Sequence, residues 1–220
     1  MHKYSKEGKL MYKWLSEIFP YNRSVAGPDN LKTLKYFNKI NNKINIKFVK
    51  SGTKIYDWKV PNEWHIKNAF IEDKNGNRVV DFKKNNLSIL NYSTSIDKII
   101  SLELLKKHIF TLKKQPEVIP YVTSYYSKRW GFCMKYNDYK KLKDKNYYVR
   151  IDSKFIKGKM HYGEIIIKGK TTNEILLSTN ICHPSMANNE LSGPVLTLML
   201  SNYLKTINNW NTYRIIFIPE

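Results

Sequence analysis

Two side chains in this sequence have the types and the placement for metal-assisted hydrolysis: the imidazole of His183 and the carboxylate of Glu220. Each follows an apolar run that reads as a strand, Glu174 to Cys182 before His183 and Thr212 to Ile218 before Glu220. Ser192 to about Ile207 reads as a helix between them, so the order is strand, helix, strand. In such a unit the strands are parallel and joined by a right-handed crossover, which brings both carboxyl ends to one edge of the sheet. Adjacent strand ends lie about 5 Å apart, or about 10 Å with one strand between, and either spacing lets both side chains approach one ion. Imidazole plus carboxylate suits zinc, and a third ligand with an open position would complete a hydrolytic site. The spacing alone also fits a turn histidine before proline and a solvated glutamate.

The elements that must hold these groups follow from periodicity. Leu10, Met11, Trp14, Leu15, Ile18 and Phe19 mark one face of a helix that Pro20 ends. Asp29 or Asn30 is expected to cap a second helix that buries Leu31, Leu34, Phe37 and Ile40. Alternation at Ile44, Ile46 and Phe48 predicts a strand. Between about Ser51 and Tyr139 the texture becomes short strand-like runs, with a hairpin from Ala69 to Phe82 and one short helix near Leu102 to Phe110. Further strands are expected at Tyr147 to Asp152 and Met160 to Ile167. The run ILLSTNIC is apolar on both faces, as a strand buried between helix layers should be.

Composition narrows the class. The 220 residues carry 38 basic and 18 acidic side chains, a net charge of +20. Arginine appears only at Arg23, Arg78, Arg129, Arg150 and Arg214, and the rest is scattered lysine, so the charge reads as a solvated surface. Specific phosphate and base recognition favours arginine. With no apolar signal region and no run of about 18 apolar residues, a soluble cytoplasmic protein is expected. Cys133 and Cys182 lack metal-ribbon or disulfide spacing and read as small buried hydrophobes.

The segment CHPSMANNELSGP, from Cys182 to Pro194, resembles the aminopeptidase-like proteins related to the M28 zinc exopeptidases. In these a histidine after a buried strand precedes an Asn-Asp-Asn turn and a Ser-Gly helix start. FPYNRSVAG, SGTKIYDWKVPNEW and IPYVTSYYSKRWGFC match the same family in the same order, so the resemblance covers nearly the whole chain. It implies an α/β fold, a zinc-exopeptidase-like mixed sheet flanked by helices. Residues 1–50 and 140–220 would form the zinc-peptidase-like part and residues 51–139 a β-rich inserted subdomain.

The resemblance also assigns roles. His183 falls on the first metal-ligand histidine, and Glu220 on the general base that activates the attacking water, beside a ligand carboxylate. Asn189 falls where the family has its metal-bridging aspartate, and an amide is a weaker, neutral ligand. The metal set expected is therefore His183, Asn189 and Glu220, with Glu220 catalytic and zinc weakly held, because the family's remaining ligands follow the point where this sequence stops. The implied activity is zinc-dependent hydrolysis of a peptide or related amide bond, incomplete in this chain. The rival class is an inactive peptidase-like binding or scaffold protein linked to surface-polysaccharide biosynthesis. The partner implied is a peptide or amide small molecule, with no specific nucleic acid and no membrane; self-association into a homo-oligomer is left open.

Overall fold

The computed structural model describes residues 5–41 and 43–219. In chain order the helices are α1 (Lys6–Ile18), α2 (Pro28–Ile40), α3 (Leu102–Lys106), α4 (Tyr136–Tyr139) and α5 (Ser192–Leu204). The strands are β1 (Asn45–Lys50), β2 (Lys54–Ile55), β3 (Trp58–Lys59), β4 (Glu63–Glu72), β5 (Arg78–Asp81), β6 (Ile96–Ser101), β7 (Ile109–Phe110), β8 (Phe132–Cys133), β9 (Asn146–Ile156), β10 (Lys159–Ile167), β11 (Glu174–Asn180) and β12 (Thr212–Ile218). The chain divides into two compact units, one of residues 1–63 and 157–220 and one of residues 64–156.

The first unit is an α/β layer built on a mixed four-stranded sheet in the order β1-β10-β12-β11. β1 and β12 are antiparallel to β10, while β11 and β12 run parallel, joined through α5. One face is apolar and covered by helices. Ile165, Ile167, Ile215 and Phe217 point to Leu34 and Phe37 of α2, to Val195 and Leu198 of α5, and to Trp14 and Ile18 of α1. Gly163 lets α2 sit close, since a Cβ there would fall 2.8 Å from a Leu34 methyl. The other face carries a row of charge with one side chain from each strand: Lys47, Glu164, Arg214 and Glu174. Arg214 grips Glu174 through two nitrogens at 2.7 Å each.

The sequence expectation for β11 is corrected here. Leu177 packs on the core, but its neighbours are not enclosed: Ile175 is 37% and Leu176 58% exposed. Among the described residues β11 pairs only with β12 and stands at the sheet edge, a position that local apolarity does not encode. The start of α2 also differs. Pro28 opens the helix, and Asp29 and Asn30 instead brace the preceding loop by accepting the backbone N–H groups of Asn22 and Ser24.

The second unit holds its own antiparallel sheet, β5-β4-β9-β6. The β4–β5 hairpin turns where expected: Asp73 Oδ1 accepts from the backbone N–H of Asn75 and of Asn77, and Gly76 takes a positive φ of 78°. Trp64 is buried, donates its indole N–H to the Ser93 carbonyl at 2.9 Å, and packs on Tyr92. The expected boundaries shift. β9, assigned from sequence to the peptidase-like part, lies inside this second sheet, and residues 51–63 go with the first unit. Strand periodicity tells that β9 is half-buried but not which sheet it joins. Among the described residues no helix is long and apolar enough to cross a membrane.

Candidate metal site

β11 and β12 are in register from Glu174 opposite Thr212 to Asn180 opposite Ile218, so their carboxyl ends share one edge. Beyond β11 the chain stays pinned: Ile181 N–H donates to the Ile218 carbonyl at 2.9 Å. Cys182 and His183 follow, both buried, and then Pro184 and Ser185, the latter at a positive φ of 46°. Residues Ala187–Leu191 form a π-helical turn into α5, closed by Ser192 N–H to the Ala187 carbonyl. Such turns widen a helix and redirect its side chains, and they recur at functional sites. Here Glu190 and Leu191 are buried while Asn188 and Asn189 are exposed.

Glu190 reaches back to the end of β11. Its Oε2 accepts the Cys182 backbone N–H at 3.1 Å, and its Oε1 lies 3.4 Å from Cys182 Sγ and 3.4 Å from His183 Nδ1. Cys182 Sγ and His183 Nδ1 are 3.2 Å apart. One nitrogen, one oxygen and one sulfur thus meet within a few ångström at residues 9%, 1% and 0% exposed. All three donor types are ones zinc takes.

The loop FPYNRSVAG supports this cluster from below. Arg23 is fully buried, donating from Nε to the His183 carbonyl at 3.0 Å and from Nη1 to the Ile18 carbonyl at 2.8 Å. Asn30 Nδ2 donates to the Ile181 carbonyl at 3.2 Å. Burial lowers the Arg23 guanidinium to about 10, opposed first by the charge of Glu190. Burial likewise pushes the Glu190 carboxyl above its ordinary range, against the pull of His183, the Cys182 thiol and Arg23. A carboxylate and a guanidinium are therefore held out of water near each other, each easing the other's ionisation.

Of the residues singled out from sequence, His183 lies in the cluster, Asn189 is exposed beside it, and Glu220 lies outside the described residues. Cys182 corrects its expectation: it is buried, but next to an imidazole and a carboxylate rather than in apolar packing alone. Glu190 and Arg23 went unrecognised. Glu190 reads locally as a solvated first-turn acid, whereas Arg23 gave a signal, since it is the one arginine before Arg78 in a chain that otherwise uses lysine.

The model described as "Domain of unknown function (DUF2172)" matches residues 63–154, nearly the span of the second unit. Along 98% of its length the chain is 41% identical to a Clostridium acetobutylicum protein named for polysaccharide biosynthesis and an aminopeptidase-like domain. It spans 50% of that relative. A C. acetobutylicum crystal structure described as a candidate peptidase superposes with a TM-score of 0.93 at 40% identity, over 96% of this chain and 50% of that one. The zinc aminopeptidase BSAP of Bacillus subtilis matches at 11% identity with a TM-score of 0.59, over 98% of this chain and 62% of that one, a likeness of fold. The motifs, the fold and the relatives agree: this chain is similar along nearly its whole length to about half of the C. acetobutylicum aminopeptidase-like protein, and it has the fold of the zinc aminopeptidase BSAP.

Proposed function

We propose that the first unit is the metal-holding part of a zinc-dependent hydrolase that cleaves a peptide or related amide bond. The observation that carries the reading is the position of His183, past the carboxyl end of β11 in a parallel pair and inside a buried cluster of nitrogen, oxygen and sulfur donors. His183 would hold the metal, and Glu220, the family's base position, would take the proton of the attacking water. Zinc, when bound, supplies Lewis acidity toward the scissile carbonyl. Arg23 fixes the His183 backbone, and Asn30 fixes that of Ile181, so the imidazole is aimed before substrate arrives. The reading extends to a cytoplasmic enzyme acting on an amide of a surface-polysaccharide precursor or on a cell-envelope peptide; the relative's name, which joins polysaccharide biosynthesis to an aminopeptidase-like domain, supports the first.

A second reading, an inactive binding or scaffold protein, is favoured by one feature: an exposed amide, Asn189, at the position of the family's bridging carboxylate. Calorimetry with an aminoacyl hydroxamate separates the two. The hydrolase reading expects zinc-dependent binding, tighter for the aminoacyl compound than for acetohydroxamate and lost in His183→Ala, with slow release of amine from aminoacyl anilides. Zinc uptake with neither preference nor turnover would leave the scaffold reading standing instead.

A further inference from the structure

We propose that Cys182, His183 and Glu190 form this chain's own metal shell, in which Glu190 supplies the carboxylate that Asn189 lacks and Cys182 supplies a thiolate. The proposal deepens the reading of the site as a zinc centre and rests on it. Zinc binds nitrogen and oxygen at about 2.0 Å and sulfur at about 2.3 Å, so tetrahedral angles set N and O about 3.3 Å apart and sulfur about 3.5 Å from either. The separations found are 3.4 Å for Nδ1 to Oε1, 3.4 Å for Sγ to Oε1 and 3.2 Å for Sγ to Nδ1. The donor triangle already has the size a zinc ion requires.

Each ligand is also oriented from behind, as ligands in built metal sites are. The second oxygen of Glu190 takes the Cys182 backbone N–H, and the His183 carbonyl takes Arg23 Nε. The π-helical turn explains why the carboxylate comes from position 190: it carries Glu190 inward and leaves Asn189 in solvent. Three protein ligands leave one position open, on the side of His183, whose side chain is 11% exposed against 1% for Glu190.

The sulfur ligand gives a second signature. Cys182 binds a metal as the thiolate, so coordination of its sulfur displaces the thiol proton to solvent. Uptake should therefore release protons.

The test is a cobalt(II) titration of the intact 220-residue chain, followed in the near ultraviolet, where thiolate-to-cobalt charge transfer absorbs, with proton release read in weak buffer. The unsubstituted protein should show the charge-transfer band and release protons, so the result does not depend on any variant folding. Cys182→Ser should bind cobalt without the band, Glu190→Gln should lose about tenfold or more in affinity, and Asn189→Ala should match the parent. Cobalt bound at His183 without the band, with affinity that follows Asn189 and ignores Glu190, would overturn this ligand assignment and leave the zinc reading intact. No cobalt or zinc uptake by the parent would overturn both.

Discussion

Cys133 in the second unit and Cys182 in the first are both fully shielded from solvent, and their surroundings differ in one respect that decides what each can do. Cys133 ends β8, paired to Phe110 of β7, and burial pushes its thiol up to about 12 against a weaker opposing hydrogen bond with the Val122 backbone. Cys182 meets an imidazole and a carboxylate within 3.4 Å. Burial without an ionisable partner makes a thiol an inert apolar group, while burial beside an imidazole and a carboxylate makes it a donor that a cation can recruit. The same contrast extends to the units: the second fills its interior with aromatic and aliphatic packing around Trp64, and the first spends a buried arginine and glutamate on one strand end.

The largest effect that would sharpen this contrast is expected at Arg23. Arg23→Met removes two charged hydrogen bonds and leaves Glu190 without its nearby cation, and should lower stability by about 3 kcal/mol in urea denaturation. A variant as stable as the parent would show that the buried charge does not hold the strand end. Cys133→Ser comes next. A hydroxyl placed in that apolar surround should cost about 1–3 kcal/mol, with metal affinity unchanged; a change in metal affinity would break the division between the two cysteines.

The smallest effect concerns the open face of the first sheet. Hydrogen bonds from Lys47 and Arg214 hold the Glu164 carboxyl below its ordinary value of 4.5, and Arg214 does the same for Glu174. Carboxylates depressed in the folded state contribute stability above that value and lose it as pH falls through the depressed one. Acid unfolding followed by circular dichroism should therefore show a modest loss below about pH 4.5, and Arg214→Leu should flatten it. An unchanged acid profile in that variant would remove the charge row from the account.

Much of this arrangement was legible in the residues. The order β11, α5, β12 follows from two apolar runs around a helical one, and parallel pairing with a shared edge follows from that order. His183 stands out because it follows the apolar run of β11 and lies in the segment CHPSMANNELSGP that carries the family resemblance. Glu190 did not, because its burial depends on a π-helical turn that has no sequence period of its own. The exposure of Leu176 was likewise invisible, since apolarity records what a strand can bury and not which strand lies next to it. β9 shows the same limit: alternation fixed its faces while tertiary pairing chose its sheet.

The central claim is that the first unit holds a zinc ion at His183, and equilibrium dialysis against buffered free zinc followed by elemental analysis tests it directly. The account predicts about one zinc per chain in the parent and in Cys133→Ser, and little in His183→Ala despite an unchanged circular dichroism spectrum. Equal zinc in the parent and His183→Ala, or none in either, would contradict it.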